Sequence, residues 1–464
     1  MTLPGSDALA AWLAGQRWFA GKTRRIAGMR TVDAVPLAGS VVVILEVTLD
    51  DGSVQRYAAP LRAGSSVVDA LDDPECGRAL LELVTRGGHA AGAAGNLHGE
   101  PVVASLLDVP RDLSVRRLPA EQSNTSMVFG RALILKFFRK LAVGINPEVE
   151  IGRFLTERAR FLYTPRLAGH LEYRGADGTT TAIAVVQELV EGARDGWEWM
   201  LEQLSAFYGQ AARAGRSPSA DHVADLCAPA LAALRRLGEQ TAALHRALAS
   251  DTRDPAFAPA PITASDVQTW SAGIHAQLAA ARAVLGDDPT LAEVPDAAVG
   301  LDSLLGRHKI RHHGDFHLGQ TLYRPGAGEF VIIDFEGEPI RPLEERRRKH
   351  AAVRDAAGLL RSLDYAAVVA RRDGGDALAA WGDAWTGEAE RAYLAGYRAT
   401  LADASFLPAT ETGFLAALAA FELEKAAYEV VYEANHRPDW IGIPRRGLLR
   451  AAARLHRSAS AAAG

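Results

Sequence analysis

Cysteine is almost missing from this sequence: Cys76 and Cys227 are the only two in 464 residues. They stand far apart with no histidine at ligand spacing, which excludes a disulfide framework and a cysteine-based zinc site. Long apolar runs are lacking as well. No stretch reaches membrane-spanning length, and residues 1–12 have no basic segment leading into an apolar one. The expectation is a cytoplasmic chain. Positive charge is not in excess either: the net charge is −5, and the basic run Arg346-Arg347-Arg348-Lys349 follows directly on Glu344 and Glu345. Nothing therefore favours nucleic acid or an anionic membrane as a partner. What remains is ordinary globular material, 48% apolar and 23% charged. A chain of this length is expected to pack as two or three subdomains rather than around one core.

Periodicity gives the order of elements. Val41-Val42-Val43-Ile44-Leu45-Glu46-Val47, the turn Asp50-Asp51-Gly52-Ser53 and residues 54–58 predict a β-hairpin. Residues 87–99, rich in Gly and Ala with little periodicity, are the expected junction. β-type runs return over 102–138, and 147–158 has helical spacing with Asn146 as N-cap and Pro147 at the first helical position. A second hairpin is predicted over 170–189. Beyond Gly192 the chain reads as helical, with long Ala/Leu-rich segments at 229–249 and 413–435. The exception is 310–335, two short strands around a polar loop. The expected divisions are a cap at 1–90, a β-rich lobe at 91–190 and a mainly helical lobe at 191–464.

The strongest chemical signal is His313-Gly314-Asp315-Phe316-His317-Leu318-Gly319-Gln320, followed after a turn by Val331-Ile332-Ile333-Asp334-Phe335-Glu336. Phosphoryl transfer needs a carboxylate to orient and deprotonate the attacking hydroxyl, and oxygen ligands to hold magnesium against phosphates. Asp315 is placed to be that base. Gln320 offers a neutral carbonyl oxygen, and Asp334, ending an apolar strand, a charged one. Each aspartate alone reads equally as a turn or strand-end residue; the pair at this spacing points to catalysis. His312, His313 and His317 fit no transition-metal spacing. His313 is expected to brace the loop, and His317 to be structural or close to the acceptor.

Lys136 sits in the apolar strand Ala132-Leu133-Ile134-Leu135-Lys136-Phe137-Phe138, where an ammonium needs a partner. In a phosphotransferase that partner is nucleotide phosphate plus a helix carboxylate, here Glu150 with Glu148 in reserve. The alternative is an edge strand whose lysine reaches solvent. Upstream, Ser123, Asn124, Thr125 and Ser126, preceded by Glu121 and Gln122, are small polar residues suited to a phosphate-binding turn. With no glycine this is neither a Walker loop nor a G-x-G-x-x-G loop, and it reads as well as an ordinary turn. Gln187, Glu188 and Val190 stand where an interlobe hinge would hold adenine, or simply end a strand.

These segments resemble the maltokinase-like branch of the aminoglycoside-phosphotransferase and protein-kinase superfamily. So do Gln16-Arg17-Trp18-Phe19-Ala20-Gly21-Lys22, Gly144-Ile145-Asn146-Pro147, Pro342-Leu343-Glu344-Glu345-Arg346-Arg347, Arg354-Asp355-Ala356-Ala357-Gly358 and the stretch 421–440. The resemblance spans nearly the whole chain. It implies an α+β, two-lobed protein-kinase-like (aminoglycoside-phosphotransferase-like) fold with an N-terminal cap domain, and an ATP-dependent carbohydrate kinase using Mg2+. It further implies Asp315 as catalytic base, Gln320 and Asp334 as metal ligands, and Lys136 as the phosphate-contacting lysine. Gln320 stands where the broader superfamily has asparagine, and Glu336 where protein kinases have glycine.

The acceptor expected is a small glucose-type sugar. The family includes maltokinases, which make maltose 1-phosphate, and related enzymes that make glucosamine 6-phosphate. Residues 205–234 depart from the stand-alone maltokinases, which favours glucosamine over maltose. Further alternatives are an aminoglycoside phosphotransferase and a non-catalytic kinase-like scaffold. For the sugar site the expected contributors are His317, Asp355, the helix positions Glu422, Lys425 and Tyr428, and Trp385 or Trp440 as a stacking surface. Charges on such a helix more often pair along a solvated face.

Overall fold

In the computed structural model the described residues are 3–64, 66–110, 112–119, 123–214, 217–294, 300–371, 378–401 and 403–463. They fall into two compact units, Met1–Glu191 with Arg341–Glu345, and Gly192–Ile340 with Arg346–Gly464.

The first unit opens with α1 (Ser6–Ala14) and an antiparallel meander, β1 (Ile26–Leu37), β2 (Ser40–Leu49) and β3 (Val54–Arg62). The unbroken apolar run of β2 marks a strand covered on both faces. Val41, Val43, Leu45 and Val47 pack with Leu9, Leu13, Trp18 and Phe19 in one core, while Val42 and Ile44 turn into a second. Then comes α2 (Pro74–Arg86), started by Pro74 and capped by the Asp73 side chain. It is followed by β4 (His89–Ala91), β5 (Gly95–Pro101), α3 (Ala104–Leu107), β6 (Val115–Arg117), β7 (Asn124–Phe129) and β8 (Leu133–Phe138). The unit closes with β9 (Lys140–Leu141), α4 (Pro147–Arg153), β10 (Leu167–Gly175) and β11 (Thr180–Glu188).

Strand β9 extends the first sheet beside β3, and the rest form a seven-stranded sheet in the order β4-β5-β10-β11-β8-β7-β6. One face of that sheet, with Leu97, Leu135, Phe137 and Leu171, shares a core with Leu80 and Val84 of α2 and with Val42 and Ile44. The stretch 87–99, expected as a junction, holds β4 and most of β5, and the expected boundary at 90/91 falls inside β4. Its glycines answer a steric need. A Cβ on Gly99 would stand 2.2 Å from the carbonyl oxygen of Leu83, so β5 runs directly against α2. The buried Asp33 of β1 secures the same region, accepting from the N–H groups of Ala93 and Ala94 and from the Tyr173 hydroxyl.

The second unit is mainly helical. It begins with the short β12 (Arg194–Asp195), α5 (Gly196–Arg213) and α6 (Ala220–Leu248), then β13 (Ala260–Pro261), α7 (Ala264–Leu285) and β14 (His308–Lys309). The ribbon β15 (Thr321–Arg324) and β16 (Glu329–Ile332) follows; after α8 (Leu343–Arg346), most of which counts with the first unit, come α9 (Val353–Ala370), α10 (Ala379–Thr400), α11 (Glu411–His436) and α12 (Gly442–Ala463). Helix α6 starts earlier than its expected segment and bends where Cys227 leaves helical geometry, two residues before Pro229. It lies hard against α10 through a pair of glycines. A Cβ on Gly238 would stand 2.0 Å from the carbonyl oxygen of Tyr393, and one on Gly396 2.0 Å from that of Arg235. No described helix is long and apolar enough to cross a membrane.

Candidate active site

The β15–β16 ribbon pairs Thr321 with Ile332, and the Ile333 N–H donates to the Gln320 carbonyl at 3.0 Å. Gln320, just before the first strand, is thereby set beside Asp334, just after the second. Asp334 has φ +66°, a left-handed conformation that costs a non-glycine residue roughly 1–3 kcal/mol. Such strain persists where surrounding structure fixes the direction of a functional side chain. A carboxylate and a neutral amide oxygen are hard donors of the kind magnesium takes, so the donor chemistry at these positions fits that ion.

Helix α9 holds the loop that precedes the ribbon. Asp355, Gly358 and Ser362 are spaced i, i+3 and i+7, which places them on one helix face. Asp355 accepts from the backbone N–H of His313 at 2.7 Å and of Gly314 at 3.0 Å, and its carboxylate meets His245 Nε2 at 2.9 Å. A Cβ on Gly358 would lie 2.7 Å from the Phe316 carbonyl oxygen. The Ser362 hydroxyl accepts from Leu318 N–H at 3.1 Å. From the other side, His313 Nε2–H donates to the Ile333 carbonyl at 2.9 Å and ties loop to ribbon. Burial penalises the Asp355 charge, but the imidazoles of His312 and His245 outweigh it and hold the carboxyl well below the usual range. Asp355 is buried and engaged on both oxygens. It anchors the loop and also borders the cleft described next.

The loop so held presents Asp315 to α11. Lys425 Nζ donates to Asp315 Oδ1 at 3.1 Å and to Glu338 Oε1 at 2.8 Å. Arg354 of α9 lies 3.6 Å from Glu338 and donates to Glu424 at 3.0 and 3.3 Å. Asp315, Glu338, Arg354, Glu424 and Lys425 are among the residues that line a cleft. Burial works against the Lys425 charge, yet Asp315 and Glu338 reverse this and raise its pKa well above the ordinary lysine value. The Tyr428 ring is 5.3 Å from the same ammonium. His317 Nε2 stands 4.0 Å from Asp315, with its side chain 38% exposed. Glu338 and Arg354 were not assigned a role by sequence reasoning. Arg354 lies in a quoted motif and Glu338 two residues past another, but a charge only becomes a site residue once its distant partner is known.

Two sugar-site expectations are overturned. Trp385 is a core residue of α10, 1% exposed, and offers no stacking surface. Glu422 points at α12, 2.9 Å from Arg454 Nε, and burial pushes its pKa up to about 6. Trp440 lies with Arg437, whose guanidinium is 4.3 Å from its ring. The charges of α11 do not simply pair along a solvated face. Glu424, Lys425 and Glu429 reach Arg354, Asp315 and Arg361 on other elements.

In the first unit, register pairs Lys136 of β8 with Ser126 of β7 and Val185 of β11. Gln187, two residues beyond Val185, shares that face, and its amide donates to Glu148 at 3.1 Å. Glu148 is 1% exposed, whereas Glu150 is only half-buried. Glu148 is thus turned, through Gln187, toward the face that carries Lys136. The phosphate-turn expectation also changes. Asn124, Thr125 and Ser126 belong to β7, with Thr125 buried and accepting from the buried Arg139 at 2.9 Å. Ser123 precedes the strand, and Glu121 and Gln122 lie outside the described residues. Glu188 ends β11 in a two-bond pairing with Arg166, at 2.9 and 3.0 Å. Val190 follows, half-buried, two residues before Gly192 with its φ of +67°.

Comparison with known proteins adds the following. A family model described as the maltokinase N-terminal cap domain matches residues 12–91. A glucosamine kinase of Mycolicibacterium smegmatis is 30% identical over 338 residues, covering 71% of this chain and 77% of that protein. A glucosamine kinase of Streptacidiphilus jiangxiensis is 29% identical over 347 residues, 71% of each. Among solved structures, a glucosamine kinase in complex with glucosamine, ADP and inorganic phosphate superposes with a TM-score of 0.64 at 25% identity, covering 97% of this chain and 99% of that one.

Proposed function

The chain belongs to the maltokinase-like family of ATP-dependent sugar kinases that includes the glucosamine kinases, and we propose that its own acceptor is glucosamine, phosphorylated at the 6-hydroxyl. The observation that carries this reading is the sequence match to two glucosamine kinases, which reaches over two thirds of each. The cleft adds chemical support. A sugar carrying an ammonium needs a carboxylate within charge-assisted hydrogen-bond reach. Of the acidic positions considered on α11, Glu424 lines the cleft while paired with Arg354, and Glu338 joins it beside Asp315 while paired with Lys425. Glu429 and Glu433 are taken by Arg361 and Arg437.

In this reading Asp315 accepts the proton of the attacking hydroxyl, and the 3.1 Å bond from Lys425 fixes the direction of its carboxylate. Lys136, with Glu148 on its face, contacts the nucleotide phosphates. Asp334 and Gln320 would hold magnesium, which supplies charge neutralisation for the phosphates when bound with ATP. Gln187, Glu188 and Val190 precede the point where the chain passes from one unit to the next and are the candidates for the adenine edge.

A coupled ADP-release assay over a sugar panel tests the acceptor. The kcat/KM values should order glucosamine first, glucose far behind and maltose negligible, since a neutral hydroxyl leaves the site's carboxylate without its charged partner. Maltose leading the series would return the acceptor to that of the maltokinases and leave the kinase assignment standing.

A further inference from the structure

The seven-stranded sheet carries a second constellation that phosphoryl transfer does not use. Strand β5 contains His98-Gly99-Glu100 and β10 contains His170-Leu171-Glu172. The strands are antiparallel neighbours, with His98 opposite Glu172 and Glu100 opposite His170. Residues two apart on a strand share a face. The two His-x-Glu pairs therefore meet as a square, imidazoles on one diagonal and carboxylates on the other. Leu97 and Leu171, which alternate with them, are core residues, so register fixes all four polar side chains on the opposite face.

The ligand atoms of His98, Glu100 and Glu172 lie within 4.8 Å of one another. His98 Nδ1 is 3.8 Å from Glu100, and His170 Nε2 is 3.8 Å from Glu100 and 3.9 Å from Glu172. These separations are too long for hydrogen bonds. His170 is only 4% exposed, and neither its Nδ1 nor that of His98 has a hydrogen-bond partner. Of these, His98 Nδ1 is the orphan nitrogen that faces a carboxylate, Glu100, and a buried ring nitrogen left this way is costly unless something else occupies the space it faces.

We propose that His98, Glu100, His170 and Glu172 form a binding site for a divalent transition-metal ion of the zinc class. Two imidazole nitrogens and two carboxylate oxygens are a four-coordinate set that zinc accepts, whereas magnesium and calcium favour oxygen alone. With zinc–ligand bonds of about 2.0–2.2 Å, tetrahedral donors stand roughly 3.3–3.5 Å apart. Closing to that from separations of up to 4.8 Å takes side-chain movements of about an ångström. Burial lowers the His170 pKa and keeps it in the neutral form that binds metal. The competitors are Arg174, paired with both carboxylates, and Arg153, 3.6 Å from Glu100. Their side chains are 40% and 42% exposed. Pairs this open to solvent hold weakly, and a displaced guanidinium passes straight into water.

Co2+ serves as the probe because its four-coordinate complexes absorb in the visible. Full-length protein stripped of metal by a chelator and titrated with Co2+, without nucleotide, should bind one saturable, absorbing equivalent that Zn2+ displaces and Mg2+ does not. His98→Ala leaves the buried His170 in place, and Glu172→Ala removes a half-buried carboxylate. Each should weaken binding by more than the roughly 10–100-fold typical of losing an outer-shell partner. Asp334→Ala, at the other candidate cation position, should leave the band unchanged. Absence of a saturable equivalent, or a band that survives either His98→Ala or Glu172→Ala, would overturn the assignment. None of these readouts depends on which sugar is phosphorylated.

Discussion

Asp355 joins fold to chemistry, and Asp355→Asn isolates that link because it preserves shape while turning one acceptor oxygen into a donor. In the wild type, Oδ1 receives Gly314 N–H and Oδ2 receives His313 N–H beside His245 Nε2. An amide at this position puts its nitrogen against at least one backbone N–H. The orientation of least damage strands only the Gly314 donor, at about 1–3 kcal/mol, and weakens the two remaining charge-assisted bonds by roughly 1 kcal/mol each. The total is about 3–5 kcal/mol. For folding units of this size each kcal/mol moves Tm by about 2–4 °C, so a fall of roughly 6–20 °C is expected by calorimetry. His313 and Gly314 directly precede Asp315, and a misplacement near 1 Å at the reacting groups costs about 10²-fold in rate. ADP release with saturating glucosamine should therefore show kcat reduced by about that factor, with ATP affinity little altered. A variant with wild-type Tm and wild-type kcat would refute the claim that this carboxylate anchors the loop.

Other perturbations separate the remaining roles. Asp334→Ala should weaken magnesium-dependent ATP binding along with the rate, because that carboxylate is assigned to the ion on the phosphates; unchanged Mg-ATP affinity in calorimetry removes it as a ligand. Glu148→Gln should lower kcat at least about tenfold more than Glu150→Gln, and the reverse order would restore the carboxylate favoured by sequence. Glu422 has its pKa raised from 4.5 to about 6, so the stability it contributes is full below the unfolded value and is lost as pH rises through 6. A shift of that size is worth about 2 kcal/mol. Glu422→Gln escapes the loss, so its Tm relative to wild type should climb between pH 5 and pH 7.5; a pH-independent difference contradicts the argument.

The local signals that were legible are those whose meaning lies within a few residues. The Val41–Val47 apolar run, the Asn146 cap with Pro147, and the strand–loop–strand around Asp315 and Asp334 all carry their geometry in their own spacing. The failures share a cause in long-range packing. Gly99 looked like linker because its lack of a side chain serves the approach of α2, which no local window contains. Thr125 and Ser126 looked like turn residues, yet Thr125 serves a buried arginine fourteen positions away. Choosing Glu150 over Glu148 required knowing which side of α4 meets the sheet. Asp355 was read from sequence as a sugar-site carboxylate, but its partners His245 and His313 lie 110 and 42 residues distant, and only the packed helices reveal that it supports the loop.

The central claim is that phosphate passes from ATP to glucosamine under the carboxylate of Asp315. Steady-state ADP release with glucosamine, compared between the wild type and Asp315→Asn, tests it most directly when paired with calorimetry of Mg-ATP binding. The account predicts glucosamine-dependent turnover in the wild type and a loss of about 10²–10⁴-fold in the variant, with folding and ATP affinity nearly intact. Turnover in Asp315→Asn close to that of the wild type would contradict it.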